Sequence, residues 1–273
     1  MKKIILLLAL GFFLPLTANA VDTAYFGKLL FDAQQNGELL PDIYRINPAL
    51  DEASLYRIQK AYVAQRLKGG ETIGGYKGGF IPKAPAGGVL FGGKRVLQGS
   101  PNVSLDDFSL LVVEAEIGFK FCQPITAPVK DIADLKKLVC EIMPVIEIAD
   151  GAIADFGQVK KDFTHLRNTL ISINVASSHT LTGVPADPAT ALSSLPVTMN
   201  HNGIPVGARD LSVTFDFWQN LLWVVNDYVL VNNYQIDPGQ FIITGNLTGI
   251  HAAQKGEYVA DFGALGTLAL TVE

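Results

Sequence analysis

An α+β fold is what this sequence predicts, and three observations predict it. Helical patterns gather in the first third of the chain, strand-like runs fill most of the rest, and the two kinds of segment do not alternate as they do in a doubly wound sheet. The 273 residues are 49% hydrophobic and 17% charged, which supplies one sizeable core and argues against disorder. No repeat, low-complexity tract or linker divides the chain, so residues 21–273 are expected to form a single domain.

The N-terminus reads differently from the rest. Lys2 and Lys3 precede an apolar run from Ile4 to Leu16, and Ala18-Asn19-Ala20 is a small-x-small cleavage site. This is the layout of a secretory signal peptide, so residues 1–20 are expected to be removed and the protein to be secreted or periplasmic. The apolar run is shorter than the roughly 20 residues a membrane span requires, and none is expected after processing. Losing Lys2 and Lys3 takes the formal charge from −5 to −7. A mildly acidic chain with no basic cluster has no electrostatic footprint for nucleic acid.

From the start of the mature chain, Thr23 to Gln35 reads as a helix. So does Asp51 to Lys68, with Asp51 as N-cap and Gly69-Gly70 as its stop. Residues 69–93 are glycine-rich and are expected to be loop with short strands. A strand is expected over Leu110 to Phe121, a short helix over Asp131 to Leu138 and a further strand over Ile142 to Ala149. Residues 150–194 are loop-rich and carry no clear element pattern. Leu211 to Val231 is expected to be one long helix; its Asp216, Gln219, Asn220, Asn226 and Asp227 exclude a membrane span. Strands follow at Phe241 to Thr244, Tyr258 to Asp261 and Thr267 to Val272.

Chemistry concentrates on three carboxylates. Glu114 and Glu116 are two apart on a strand, so both leave the same face, opposite Val113, Ala115, Ile117, Phe119 and Phe121. Taken alone they fit a solvated strand face. Glu147 changes the balance, because its same-face neighbours Val145 and Ala149 are apolar, and a carboxylate buried among apolar residues needs a cation, a donor or a proton. Three carboxylates converging from two strands supply hard oxygen ligands suited to Mg²⁺ or Mn²⁺. No His/Cys cluster has zinc spacing. Gly88 to Lys94 has phosphate-loop spacing, but Arg95 stands where Ser or Thr would hold the metal. No Gly-x-Ser-x-Gly elbow occurs. His165, His179, His201 and His251 are scattered; His179 alone lies in a small-residue segment of the kind that approaches ligands.

The order of motifs resembles the 2-keto-4-pentenoate hydratase family of the fumarylacetoacetate hydrolase superfamily. It is carried by Gly75-Tyr76-Lys77-Gly78-Gly79, Gly88-Val89-Leu90-Phe91, Val113-Glu114-Ala115-Glu116-Ile117 and Pro144-Val145-Ile146-Glu147-Ile148-Ala149-Asp150. It continues through Asn174-Val175-Ala176-Ser177, the helix with Trp218 and Trp223, Pro238 to Gly245, and Phe262 to Gly266. The resemblance implies a mixed β-sheet roll with surrounding helices and an Mg²⁺ or Mn²⁺ ion held by Glu114, Glu116 and Glu147. It further implies a small 2-oxo acid substrate, a loop lysine (Lys77) that neutralises an enolate or carries a proton, and substrate contacts from Tyr76, Asn174, Ser177 and Thr244. The activity implied is hydration of a 2-hydroxydienoate. A 4-oxalocrotonate-type decarboxylase, a C–C hydrolase and an exported binding protein without turnover are the alternatives. Members of the family are often oligomeric, though no interface is legible here. Two departures stand out: Gly92-Gly93-Lys94 where hydratases usually carry an acidic residue, and Ser172-Ile173-Asn174 where many read Ala-Asp-Asn. Finally, Cys122 and Cys140 are an even pair at the facing ends of two expected neighbouring strands; export would bridge them, and two buried free thiols are the alternative.

Overall fold

The computed structural model describes residues 21–80 and 83–273; the expected signal peptide lies outside the described residues. The helices α1 (Thr23–Gln35), α2 (Ile43–Ile46) and α3 (Glu52–Lys68) come first. Each starts where an aspartate accepts a backbone N–H of its first turn: Asp22 from Tyr25, Asp42 from Arg45 and Asp51 from Ser54. Leu30, Ile43, Leu55 and Ile58 close a helical core in which Ile153 and Ile171 from later elements also pack.

The strands form two sheets. Those in the first half are β1 (Ile73–Gly79), β2 (Ala86–Phe91), β3 (Val96–Leu97), β4 (Asn102–Val103) and β5 (Leu111–Phe121). Helix α4 (Ile132–Leu138) leads to β6 (Val139–Asp150), and α5 (Phe156–Val159) and α6 (Phe163–Ser172) lead to β7 (Ser177–Thr182). The hairpin of β8 (Thr198–His201) and β9 (Ile204–Ala208) precedes α7 (Phe217–Trp223). The end of the chain is β10 (Phe241–Ile243), β11 (His251–Ala252), β12 (Gly256–Asp261) and β13 (Thr267–Val272). The larger sheet runs β2-β1-β10-β5-β6-β7-β3, with β11 also paired to β5; the smaller runs β4-β13-β12-β8-β9. Parallel pairs (β1 with β10, β3 with β7) sit among antiparallel ones, so the sheet is mixed.

The large sheet is a roll, and one contact shows it. Lys77 on β1 and Glu147 on β6 are three strands apart, about 14 Å across a flat sheet, yet their side chains form an ion pair. Only strong curvature brings them together. Val113, Ala115, Ile117, Phe119 and Phe121 face the core and are essentially inaccessible, which leaves the other face of β5 to line the inside of the roll.

Three segments differ from expectation. The glycine-rich stretch is mostly strand: β1 and β2 pair over Ile73–Phe91. Its glycines permit close approach, since a Cβ on Gly75 would lie 1.8 Å from the Phe241 carbonyl oxygen and one on Gly87 2.1 Å from the Tyr228 ring. The middle segment holds α6 and β7; α6 hides its pattern because buried Thr169 and Ser172 satisfy their hydroxyls on Asp42 and on the Thr169 carbonyl. The expected long helix begins only at Phe217, where Asp216 accepts from the Gln219 N–H. It then widens into a π-helix over Val224–Leu230, where Tyr228 bonds Gln59 and Asn226 bonds both backbone groups of Val129. Cys122 and Cys140 are disulfide-bonded, with Cα atoms 5.9 Å apart. Among the described residues no helix is long and apolar enough to cross a membrane.

Candidate metal and substrate site

The register of β5 and β6 assembles the carboxylates. Glu114 lies directly opposite Glu147, and Glu116 is opposite Val145 on the next rung of the same face. Each contributes an oxygen to a group within 4.8 Å of one another. Glu116 and Glu147 are buried, while Glu114 is partly open to the cavity. Lys77 donates to Glu147 and, at 3.1 Å, to the Val175 carbonyl. The Gly245 N–H donates to Glu116 at 2.8 Å. Glu147 Oε2 and Thr244 Oγ1 are among the buried oxygens without a partner.

Electrostatics follow from that packing. Burial, then the charge of Glu147, pushes Glu114 up to about 7 against the relief of Lys77 and Asn246. Glu116 is raised well above the carboxylate range by burial and by Glu147 and Glu114. Burial by itself would lower Lys77, but the three carboxylates outweigh it and hold the ammonium above its ordinary value. Fully ionised, the four groups sum to −2. A divalent cation cancels that sum and gives the unpartnered Glu147 oxygen something to bind, so the residues fit a hard divalent ion.

No family model matches the chain. A 2-oxo-hept-4-ene-1,7-dioate hydratase from Escherichia coli is 23% identical over 252 residues, spanning 88% of this chain and 93% of that protein. The 4-oxalocrotonate decarboxylase from Pseudomonas putida G7, solved with magnesium and adipate, superposes with a TM-score of 0.81 at 19% identity, covering 92% of this chain and 97% of that one. The chain has the fold of the fumarylacetoacetate hydrolase superfamily. Fumarylpyruvate hydrolase from Pseudomonas aeruginosa, solved with Mn²⁺ and pyruvate, is similar over a smaller core: TM-score 0.54, 11% identity, 72% of this chain and 88% of that one.

Within this superfamily fold, the residues expected to form the site divide. Lys77, Glu114, Glu116, Glu147 and Thr244 line one cavity of about 370 Å³. Lys77 sits on a strand, not on the expected loop. Tyr76 is not in the cavity: as the strand neighbour of Lys77 it points to the opposite face, where its hydroxyl donates to the Gln235 carbonyl. Asn174 is buried and spends its carboxamide on the backbone N–H and carbonyl of Val89. Ser177 lines a different recess, beside Arg66 and Ser178. Asn174, Val175 and Ala176 all have positive φ; this left-handed turn aims the Val175 carbonyl at Lys77. His179 contacts Arg95 and Ser178, away from the carboxylates. Gly92 and Gly93 also belong to another recess, so the departure there does not touch the cavity wall. Sequence reasoning missed Gly245, Asn246 and the apolar wall of Phe80, Phe156, Leu166, Leu170, Phe215 and Ile250. The Thr244-Gly245-Asn246 turn after a strand was the available signal for the first two.

Proposed function

We propose that the protein is an exported, divalent-metal-dependent lyase that adds water to a 2-hydroxy-2,4-dienoate or its 2-oxo-alkenoate tautomer. The observation that carries the reading is the buried cluster of three carboxylates and one lysine, which would carry −2 when fully ionised. Glu114, Glu116 and Glu147 would hold Mg²⁺ or Mn²⁺, which when bound supplies Lewis acidity to the carboxylate and 2-oxo oxygens of the substrate. The Lys77 ammonium, beside the carboxylates in the cavity, would stabilise negative charge developing on the 2-oxygen or deliver a proton from Nζ. The unpartnered Thr244 hydroxyl would bond the substrate carboxylate, and the Gly245 N–H holds Glu116 in its orientation. Similarity to a hydratase over nearly the whole chain supports the reaction, and the disulfide supports export.

Decarboxylation is a second reading, favoured by the full-length superposition on 4-oxalocrotonate decarboxylase; both reactions draw electrons toward a chelated 2-oxo acid. Purified protein with Mg²⁺ or Mn²⁺ is assayed against 2-hydroxypenta-2,4-dienoate and 4-oxalocrotonate. Loss of dienoate absorbance with water uptake supports the hydratase. Carbon dioxide release from oxalocrotonate alone replaces it with the decarboxylase, and binding of oxalate without turnover of either leaves a binding protein. Mass spectrometry that finds an intact Met1 terminus would reject export.

A further inference from the structure

We infer that the substrate carries one carboxylate and an apolar tail, not a second carboxylate. This inference rests on the metal-dependent reading above, since the carboxylate cluster fixes which end of the substrate lies inside.

The cavity has two unlike halves. All its charge is at the inner end, on Lys77, Glu114, Glu116 and Glu147. Beyond them the wall is apolar: Leu166 and Leu170 are one turn apart on α6 and face inward, Phe215 packs over Gly245, and Phe80 is held edge-on against Phe163 with ring centres 5.3 Å apart. Lys77 is the one cation among the described lining residues, and it is already engaged by Glu147 and the Val175 carbonyl.

Cations of neighbouring elements do not line the cavity, exposed Lys83 in the turn after Phe80 included. Arg45 pairs with Asp155, and His165 with Asp42. Arg167 is taken by Glu52 and the carbonyls of Ala84 and Pro85. Lys161 bonds Gln158, and Lys160 lies 5.8 Å from the ring centre of Phe156 without lining the cavity. A second carboxylate on a short substrate would therefore be placed among leucine and phenylalanine side chains with no free cation among the described lining residues, which is strongly unfavourable. An alkyl or aryl tail there would leave water at a gain. The relative from Escherichia coli is named for a dioate, and the one from Pseudomonas putida was solved with adipate; this chain's wall suits neither terminus.

Calorimetric titration of the Mg²⁺-loaded full-length mature protein tests this with pyruvate, 2-oxohexanoate, 2-oxooctanoate, phenylpyruvate and 2-oxoadipate. Affinity should rise by about fourfold for each methylene that leaves water. The matched six-carbon pair decides: 2-oxoadipate should bind at least about tenfold more weakly than 2-oxohexanoate. Leu170→Arg should reverse that order while pyruvate binding stays within about twofold; if this variant does not fold, Leu166→Arg reads the same position. Equal or tighter binding of 2-oxoadipate by the wild type overturns the inference, as does an arginine variant in which the order is unchanged. Absence of binding by pyruvate as well would instead count against the metal-dependent reading itself.

Discussion

Two buried clusters of charge flank residues 174–177, and each sends a cation to a carbonyl of that segment: Lys77 to Val175, and Arg66 to Ser177. Beyond that they differ. In one, Arg66 holds both oxygens of Glu71, Arg95 adds a third bond to Glu71, and the Arg66 guanidinium lies 3.5 Å from the centre of the Phe91 ring. Burial would raise Glu71, but the two arginines outweigh it and hold it below its usual range. Both oxygens of that carboxylate are engaged. In the other, three carboxylates share one lysine, two of them are raised, and Glu147 keeps a buried oxygen without a partner. Burial of charge does not distinguish a structural cluster from a functional one. Saturation does: the first cluster is complete within the chain, whereas the second becomes complete with a divalent ion.

The largest expected effect breaks the complete cluster. Arg66→Ala leaves Glu71 partly buried with one remaining arginine and should cost about 3 kcal/mol in urea unfolding, while the melting shift produced by metal persists. A loss below about 1 kcal/mol would mean that the network is ornamental. Next, Mg²⁺ or Mn²⁺ at a hundred times its Kd should stabilise the wild type by about 2.7 kcal/mol. Glu116→Gln should abolish that gain yet leave the metal-free fold at least as stable, because the amide replaces a carboxyl whose ionisation burial and Glu147 oppose. A wild-type metal shift in this variant would reduce the carboxylates to a solvated strand face.

Lys77→Ala sharpens the comparison from the substrate side. Metal stabilisation should survive, and affinity for pyruvate or oxalate should fall by about tenfold, the loss of one charge-assisted bond. Unchanged oxo-acid affinity would remove Lys77 from the site. The smallest effect is in the pH profile. Glu114 holds its proton to about 7 in the metal-free fold, against a usual carboxyl value of 4.5. Its contribution is whole below 4.5 and is lost as pH rises through about 7. His179, lowered to about 4 by burial and then by Arg95 and Arg66, works the other way: its contribution is present above 6.5 and is lost as pH falls through about 4. The two partly cancel between pH 4.5 and 6.5. Saturating Mg²⁺ should remove the first and expose the second as a rising slope, measured by melting temperature against pH; an unchanged slope would separate Glu114 from the metal.

Much of this was legible in the sequence, and the legible part has a common cause. Glu114, Glu116 and Glu147 could be read because strand alternation fixes their face whatever the rest of the fold does. Asp51 and Gly69 bounded α3 for an equally local reason. Alternation also argued against Tyr76, which cannot share a face with Lys77; there the motif was followed over the period. Asn174 and Ser177 were misplaced because the left-handed turn at residues 174–176 carries no glycine to announce it. The apolar wall was invisible for a different reason: Phe80, Leu170, Phe215 and Ile250 come from four distant parts of the chain, and only the roll unites them.

The disulfide has a consequence for the metal ligands that its distance from them conceals. Antiparallel strands can slide past one another, and sliding β5 by one residue on β6 would turn its glutamates into the hydrophobic layer; sliding by two would set Glu116 across from Glu147. Cys122 and Cys140 close the loop between those same strands over a separation of 18 residues. Once that bond forms, one reading frame for the pair is fixed covalently. The frame is the one in which Glu114 meets Glu147, and no ion is needed to hold it.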